Sequence, residues 1–320
     1  MHASRPIEGV SCLALTVLDD RLLDLIEPDY EVDRICDGHV FTEGPVWHAR
    51  ERHLTFSDVR KQVLYRWTES GGESVFRDPS NNANGNTYDH RGRLVTCAGR
   101  TVMRTNEGGG VEVIAEHFGA ARLNKPNDVI CTPNGDIIFT DPTFGMRDEN
   151  GEPLEREYPF SGVFRVPASD GGLTPLIDSV AWPNGLAMTD DGRTLYVNDS
   201  FERVVYAFHI REDGSAGDRR TFARLASDTG RVLPDGMKLD SLGNLYVAAS
   251  NPDGVWVFGP EGSLLGTIGL PPEQSTHGTG PGGPSNLAWG DDDWRTMFAT
   301  AVTSVYRLRM KVPGQAVRID

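Results

Sequence analysis

The amino-acid sequence predicts an all-β fold, a six-bladed β-propeller with a short N-terminal helix, from three observations. First, a short apolar strand pattern recurs six times, and the first residues of these strand cores lie 40, 43, 58, 50 and 52 positions apart, a spacing typical of propeller blades. Second, Asn-Gly, Asp-Gly and Gly-Gly pairs interrupt the apolar runs, as tight turns do. Third, few segments have a helical pattern, which favours an all-β architecture.

The length fits one domain. Six blades of about four strands each need most of the 320 residues. We therefore predict a single domain over residues 1–320, with residues 1–30 as an N-terminal helical extension and residues 31 to about 312 as the propeller. Apolar residues that suit one face of a short helix ending at Pro28 are Leu18, Leu22, Leu23 and Ile26.

Strand-like runs lie near both ends of the propeller, at residues 31–36 and 305–310. A closed propeller leaves no exposed sheet edge when one terminus supplies a strand to the blade of the other. We predict that the first run closes the last blade. The alternative is an unpaired edge covered by the N-terminal helix.

The longest repeat interval contains an insertion, residues 145–160. It follows the strand core Ile137–Phe139, which we interpret as an innermost strand. The insertion is either a lid over the channel mouth or, as is more common for such segments, a solvated loop.

Composition narrows the classes of partner and compartment. The net charge of −15 and the isoelectric point of about 5.0 argue against nucleic acid or an anionic membrane surface as partner. The four cysteines show no metal-ligand spacing and favour free thiols in a reducing compartment. No segment approaches the ~18 apolar residues of a membrane span, and no cleavage site follows the run at residues 10–18. We expect a cytoplasmic protein, and the sequence does not determine its oligomeric state.

An oxygen-bearing side chain precedes each strand core by ten or eleven residues. The six residues are Glu43, Asn84, Asn127, Asn184, Asp235 and Asn286. A constant offset in a repeated unit means a constant place in the fold, so we expect these side chains to form a ring at the channel entrance. Any one Asn-Gly or Asp-Gly pair alone is more commonly a turn, but six at one offset are difficult to explain by turns placed at random.

The chemistry of this ring predicts one divalent metal ion. Its members are carboxylates and amides, without His or Cys, and oxygen-only ligation suits Ca²⁺ or Mg²⁺, and Mn²⁺ after them, over Zn²⁺. Calcium is the leading choice, and Mn²⁺, Mg²⁺ and Zn²⁺ stay as alternatives. The predicted ligands are Glu43, Asn127, Asn184 and Asp235. A purely structural metal that ties the blades together is the competing interpretation.

The motifs around these residues resemble the senescence marker protein, gluconolactonase and luciferin-regenerating enzyme family of six-bladed propellers. The resemblance covers roughly residues 20–312. The matching stretches are Phe41–Trp47, Arg122–Asp128, Phe139–Pro142, Trp182–Leu186, Leu233–Met237 and Pro284–Leu287.

This resemblance implies a divalent metal, often calcium, held by the residues matching Glu43, Asn184 and Asp235. It implies Asn127 as a further ligand or a substrate contact, and Asp235 as the catalytic base. Lys125 stands where some members have an arginine that touches the substrate, and Asn286 is a further candidate for substrate binding. Related diisopropylfluorophosphatases have a second calcium served by a His at the position of Ala288, so we expect no second calcium here.

The leading functional hypothesis is hydrolysis of a sugar-acid lactone, with the metal as Lewis acid at the carbonyl oxygen and Asp235 as general base. Two alternatives remain: a phosphotriesterase acting on organophosphates, and a non-catalytic calcium-binding propeller that serves as an adaptor, because propellers host many functions. Serine hydrolase chemistry is not supported, since the sequence has no Gly-x-Ser-x-Gly. His48 and His53 flank the first strand core and are expected at the surface or in turns.

Overall fold

The computed structural model describes residues 13–106, 108–147, 152–169, 172–226, 232–250, 254–274 and 281–320. The N-terminal segment contains β1 (Leu15–Val17), a 3-10 helix (Asp20–Asp24) and β2 (Val32–Cys36). Antiparallel sheets follow one another along the rest of the chain, and six of them, with four or five strands each, are the predicted blades.

The first half of the propeller contains three blades and one small hairpin. Blade 1 consists of β3 (Thr42–His48), β4 (His53–Asp58), β5 (Val63–Thr68) and β6 (Gly72–Arg77). Blade 2 consists of β7 (Ala83–Tyr88), β8 (Leu94–Ala98), β9 (Thr101–Thr105) and β10 (Val111–Ala115). The hairpin is β11 (His117–Phe118) and β12 (Ala121–Arg122). Blade 3 consists of β13 (Val129–Cys131), β14 (Ile137–Asp141), β15 (Gly162–Val166) and β16 (Thr174–Ile177).

The second half also contains three blades. Blade 4 consists of β17 (Pro183–Met188), β18 (Thr194–Asp199), β19 (Val204–Ile210) and β20 (Ala216–Arg224). Blade 5 consists of β21 (Leu233–Leu239), β22 (Leu245–Ser250), β23 (Val255–Phe258) and β24 (Leu264–Ile268). A short pair, β25 (Glu273–Gln274) and β26 (Pro281–Gly282), precedes blade 6, which contains β27 (Asn286–Gly290), β28 (Thr296–Ala301) and β29 (Ser304–Arg309).

The innermost strand of each blade is the first one along the chain. These strands contact one another in the cyclic order β3, β7, β13, β17, β21, β27 and back to β3, and so they surround the channel. The strand cores recognised in the sequence are the second strands of the blades, β4, β8, β14, β18, β22 and β28. Our interpretation of Ile137–Phe139 as an innermost strand was therefore wrong, because the innermost strand begins at the polar motif itself.

The N-terminal run closes the last blade, as predicted. β2 pairs antiparallel with β29, with Val32 opposite Leu308. β1 likewise adds a fifth strand to blade 5 by pairing with β24. Both terminal strands cover sheet edges that would otherwise be open to pairing with another chain.

The predicted N-terminal helix is a single 3-10 turn. The Asp19 side chain accepts a hydrogen bond from the backbone N–H of Arg21 at its start. Leu22 and Ile26 are fully buried against blades 5 and 6, so the apolar face was identified correctly while the helix was overestimated in length. In the described part of the chain, no helix is long and apolar enough to cross a membrane.

Four glycines allow neighbouring innermost strands to approach closely. Each directly follows a ring residue and faces the next blade. A Cβ atom on Gly44 would lie 2.1 Å from the carbonyl oxygen of Asn84, and one on Gly185 would lie 2.1 Å from that of Asp235. Gly85 and Gly236 are as tightly placed, against Asn127 and Asn286. Contacts under 3 Å leave no room for a side chain.

The C-terminal segment packs against the innermost strands at the end opposite the ring. The backbone N–H of Gln315 donates to the carbonyl oxygen of Leu239 at the end of β21. Val317 and Ile319 pack against the core cluster that contains Val46 and Tyr88. We call the end of the channel at which the innermost strands begin the mouth.

We predict that Gly185→Ala destabilises the protein by about 3 kcal/mol, at the upper end of the usual cost of overpacking. The new methyl group meets backbone atoms of the next blade, which cannot rotate away. Gly110→Ala is the matched control, because a Cβ there has no atom within 4 Å. Denaturant unfolding measures both. Equal stabilities of the two variants would contradict the packing role of Gly185.

Candidate functional site

The innermost strands carry the predicted ring residues at their mouth ends. Glu43, Asn84, Asn184, Asp235 and Asn286 lie in the first two residues of β3, β7, β17 and β27 or the third of β21. Asn127 lies two residues before β13, where its backbone carbonyl accepts a hydrogen bond from Gly85 N–H.

A β-bulge marks the motif in four of these strands. The pairing register shifts between Glu43 and Val46 in β3, and at the equivalent position in β7, β17 and β21. Two residues there oppose one residue of the second strand, which bends the strand and re-aims the neighbouring side chain. The bulges therefore turn polar side chains toward the mouth at a strand position where simple alternation would not.

Carboxylates and amides from different blades meet at the mouth. Asn286 Nδ2 donates to Glu43 Oε2 at 3.3 Å, which joins blade 6 to blade 1. The Asn184 amide lies close enough to Asp235 to stabilise its ionised form. Electrostatic coupling also links Glu43, Asp128 and Asp235. The structure thus brings together four of the ring residues and adds Asp128.

The three carboxyl groups have raised pKa values. Burial raises the pKa of Glu43, and the neighbouring Asp128 raises it further. Burial and then the charges of Glu43 and Asp128 hold the pKa of Asp235 well above its usual range. Burial likewise raises the pKa of Asp128. Three buried carboxylates that repel one another form a site that a cation would stabilise.

Two buried oxygen atoms at this site lack partners. Asn184 Oδ1 and Asp128 Oδ2 have no hydrogen bond to any described residue. A buried polar atom without a partner costs free energy, and both atoms are oxygens of the kind that coordinate hard cations. The donor set and these unpaired oxygens fit the predicted divalent ion.

Lys238 supplies one positive charge beside the ring. Its Nζ donates to Asn286 Oδ1 at 3.3 Å and to the carbonyl oxygen of Met237 at 3.0 Å. Its charge lowers the pKa of both Glu43 and Asp128 and so partly offsets the effect of their burial. The single positive charge of Lys238 does not neutralise three carboxylates, so a further cation would stabilise the site.

The sequence reasoning missed Asp128 and Lys238. Asp128 directly follows Asn127, but the common offset selected only the asparagine. Lys238 lies three residues after Asp235, and the bulge between them obscures the two-residue alternation that would have placed Lys238 by the channel.

A repeated pair at the end of the second strand holds the ring in place. The pairs are Ser57-Asp58, Thr140-Asp141 and Asn198-Asp199. The first residue of each pair donates to the backbone carbonyl of the next ring residue, at Asn84 (2.7 Å), Asn184 (2.8 Å) and Asp235 (2.5 Å). Each aspartate accepts backbone N–H bonds from the loop that precedes its own innermost strand, for example from Asn124 and Lys125 to Asp141. This pattern is visible in the sequence and was not used.

Lys125 and Asn286 have different environments. Lys125 lies at the mouth, and its Nζ donates to the carbonyl oxygen of Gly145 at 2.9 Å. Asn286 is 2% exposed, and its Oδ1 also accepts the N–H of Leu287. These contacts favour a role for Asn286 in positioning Glu43. Substrate binding by Asn286, Asn127 and Lys125 stays a prediction.

The described ends of the 145–160 insertion are packed against blade 3. Tyr158 is buried beside Phe118 and Phe164, and its hydroxyl donates to Asp141. Residues 148–151 lie outside the described residues, and the lid hypothesis stays a prediction.

A second cluster lies at the other end of blade 1. Ligand atoms of His48, Glu51 and His53 lie within 4.8 Å of one another. Both histidines are buried, so our expectation of surface positions was wrong. His48 Nδ1 accepts the N–H of Glu51, and His53 Nε2 is bonded to the hydroxyl of Tyr88. Because these nitrogens already have partners, the cluster fits a metal less well than the ring does.

Comparison with known proteins identifies the family. The profile described as SMP-30/Gluconolactonase/LRE-like region matches residues 41–303. A gluconolactonase from Zymomonas mobilis is 30% identical, over 98% of this chain and 90% of that protein. The structure of a gluconolactonase from Xanthomonas campestris superposes with a TM-score of 0.84 at 31% identity, and covers 97% of this chain and 99% of that one.

A more distant structure supports the fold alone. Regucalcin from Agrobacterium tumefaciens, described as a calcium-binding protein, superposes with a TM-score of 0.72 at 16% identity, over 96% of this chain and 97% of that one. The chain belongs to the SMP-30/gluconolactonase/LRE-like family of six-bladed propellers, and it is a hydrolase of carboxylic ester bonds of the lactonase type.

Proposed function

We propose that the protein hydrolyses a sugar-acid lactone in a metal-dependent reaction at the mouth of the channel. The observation that carries this proposal is the buried cluster of Glu43, Asp128 and Asp235 with the unpaired oxygen of Asn184, in a chain whose relatives are gluconolactonases. The lactone carbonyl would enter from the mouth, where Asp235 is partly exposed.

Glu43, Asn184 and Asp235 would hold one divalent cation, with Asn127 or Asp128 as a further ligand. We propose calcium, because every candidate donor is an oxygen and because six to eight oxygen ligands suit this ion. When bound, the cation supplies a Lewis acid that polarises the lactone carbonyl. Asn286 keeps the Glu43 carboxylate in place, and Lys238 keeps Asn286 in place.

Asp235 would act as the general base. It keeps partial exposure, as a group that meets substrate must. Its carboxylate takes a proton from the attacking water. It returns this proton to the ester oxygen of the lactone as the ester bond breaks. The Asn184 amide orients this carboxylate and stabilises its ionised form. Lys125 and Asn127 would bind hydroxyl groups of the sugar.

We predict that Asp235→Asn lowers kcat by about 10³-fold, because a general base contributes 10²- to 10⁴-fold. The measurement is proton release from D-glucono-1,5-lactone and other aldonolactones, with spontaneous hydrolysis subtracted. It compares chelator-treated protein with protein reloaded with Ca²⁺, Mn²⁺, Mg²⁺ or Zn²⁺.

Asp218→Asn, on the exposed face of β20, is the matched control and is expected to keep full activity. Turnover near the wild-type rate in Asp235→Asn would eliminate Asp235 as the base. Turnover that does not depend on any metal would eliminate the metal mechanism. Hydrolysis of organophosphates in place of lactones would favour the phosphotriesterase.

We further predict that metal-free protein loses stability as the pH rises from about 4.5 to about 7. In the folded, metal-free state, burial raises the pKa of Glu43 from 4.5 to about 7. The folded protein therefore binds more protons than the unfolded chain in this window, so stability present at low pH is lost as the pH passes the folded pKa.

Urea unfolding of chelator-treated protein at pH 5 and pH 7.5 measures this effect. Glu43→Gln cannot titrate at this position, so its loss of stability between the two pH values should be smaller than that of the wild type. Saturating Ca²⁺ should restore stability most at pH 7.5, by about 2.7 kcal/mol at 100 times the Kd. Equal pH dependence in the wild type and Glu43→Gln would rule out a buried, proton-binding Glu43.

A further inference from the structure

A cavity lies between blades 1 and 2, at the end of the propeller opposite the ring. Its walls come from the turns that follow β3, β7 and β9 and from parts of β5 and β6. Its volume of about 430 Å³ is within the range of sites that bind small molecules. None of the ring residues lines it, so the cavity is separate from the candidate lactonase site. The lining residues that carry or can carry charge are His48, Arg50, Glu51, Arg66, Arg91 and Arg93.

Positive charge dominates this lining, although the net charge of the protein is −15. Among the described residues that line the cavity, four are arginines and one is an acid, Glu51. Burial lowers the pKa of His48 despite the nearby Glu51, and the charges of Arg66 and Arg50 lower it further. His48 is therefore mainly neutral at pH 7, and the arginines alone supply the positive charge. The charge in the cavity is thus opposite in sign to that of the whole chain.

Three of the four arginines meet at one glycine. Gly92, with a φ of +76°, separates Arg91 from Arg93 in the turn after β7. A Cβ atom on Gly92 would lie 3.0 Å from His48 Nε2 and 3.2 Å from Arg50 Nη2, which places the Arg50 guanidinium group beside this turn. Arg50 has no hydrogen bond or ion pair with any residue that the structure describes. Its charge is therefore available to a ligand.

The other two walls hold guanidinium groups in fixed positions. Arg66 Cζ lies 3.9 Å from the centroid of the Phe76 ring, a cation–π contact. Its Nε is buried without a hydrogen bond to a described residue, and its Nη1 is 3.6 Å from Glu51 Oε2, too far for a hydrogen bond. Arg93 is paired with Asp89, through Nε at 2.8 Å and Nη2 at 2.7 Å. Arg93 is thus partly neutralised, whereas Arg66 keeps a buried donor with no acceptor.

These arginines also decide which kind of ion the cavity favours. The ligand atoms of His48, Glu51 and His53 lie within 4.8 Å of one another, a spacing that alone would suit a metal. Burial and the charge of Arg66 lower the pKa of His53 to about 3. The same positive charge would repel a metal ion, and it would attract an anion.

We propose that this cavity binds an oxyanion of the phosphate class, as free phosphate or as the phosphate group of a small metabolite. Phosphate oxygens accept charge-assisted hydrogen bonds from guanidinium groups, whose planar donors match their geometry. Arg50, Arg66 and Arg91 would supply the donors, and Arg93 would add a further positive charge. The volume leaves room for the organic part of a phosphorylated molecule. This site does not depend on the proposed lactonase function.

The first test is calorimetry of the full chain at low ionic strength, without added metal. The ligands are inorganic phosphate, glycerol 3-phosphate and, as the unphosphorylated counterpart, glycerol. We expect one phosphate or one glycerol 3-phosphate to bind per chain, and glycerol not to bind. Tighter binding of glycerol 3-phosphate would identify a phosphorylated metabolite as the ligand, and equal affinities would identify phosphate itself. Absence of binding for both phosphate compounds would overturn the proposal.

Two variants locate the binding in the cavity. Arg50→Gln and Arg91→Gln change exposed side chains and should each weaken phosphate binding about tenfold, through the loss of a charge-assisted hydrogen bond. Arg52→Gln is the matched control, because Arg52 belongs to the same turn as Arg50 but pairs with Asp292 at 2.8 Å and does not line the cavity. Equal affinities in all three variants would overturn the proposal, since binding would then not involve this cavity.

The second test is thermal unfolding, which also shows whether each variant is folded. Phosphate stabilises the folded state if it binds there and not to the unfolded chain. At an ionic strength matched with sodium chloride, we expect phosphate to raise the Tm of the wild type and of Arg52→Gln. The double variant Arg50→Gln, Arg91→Gln should show no such rise. A rise of equal size in the double variant would overturn the assignment of the anion to this cavity.

Discussion

The close packing of each innermost strand on the next is the constraint on which the ring depends. Gly44, Gly85, Gly185 and Gly236 have no room for a side chain, because the backbone or side chain of the next blade occupies that space. The blades can therefore converge until side chains from opposite sides of the channel share one small volume. The Ser57, Thr140 and Asn198 side chains then fix the carbonyl groups of the neighbouring ring residues. Each of these glycines directly follows a polar ring residue. The same positions therefore determine both how closely the blades pack and where the ring side chains lie.

The close approach of the blades at the channel has an electrostatic cost. It brings Glu43, Asp128 and Asp235 together in a desolvated place, where their charges oppose one another. Lys238 offsets part of this repulsion, but its single charge is too small. A divalent cation would supply the rest and would use the oxygen atoms that otherwise lack partners. The repulsion among the three carboxylates, which destabilises the cluster without a metal, also favours a bound cation. That cation would be the electrophilic centre that faces a substrate.

The sequence was sufficient to predict the architecture because the same weak strand pattern recurs in every blade, and six recurrences together are a strong indication. The period predicted the blades, and the terminal runs predicted their closure, which β2 and β29 confirm. The ring residues were found from a constant offset, although as a set of one residue per blade. That rule excluded Asp128, the neighbour of Asn127, and the bulge in β21 concealed Lys238.

The order of strands within a blade was misassigned, since apolar cores look alike in the first and second strands. The buried histidines, His48 and His53, were missed because a hairpin end gives no signal of burial. Contacts between blades, such as Asn286 with Glu43, have no counterpart in a linear pattern.

The most direct test of the central claim is a calcium titration of chelator-treated Gly236→Ala beside the wild type and Gly110→Ala. A Cβ at residue 236 would lie 2.0 Å from Asn286 Cγ and would displace the amide that holds Glu43. Calorimetry below the melting temperature of every variant separates binding from folding. The account predicts one calcium ion per wild-type chain, an affinity at least tenfold weaker in Gly236→Ala, and no change in Gly110→Ala. An unchanged affinity in a folded Gly236→Ala protein would show that calcium does not depend on the packed ring, and would contradict the account.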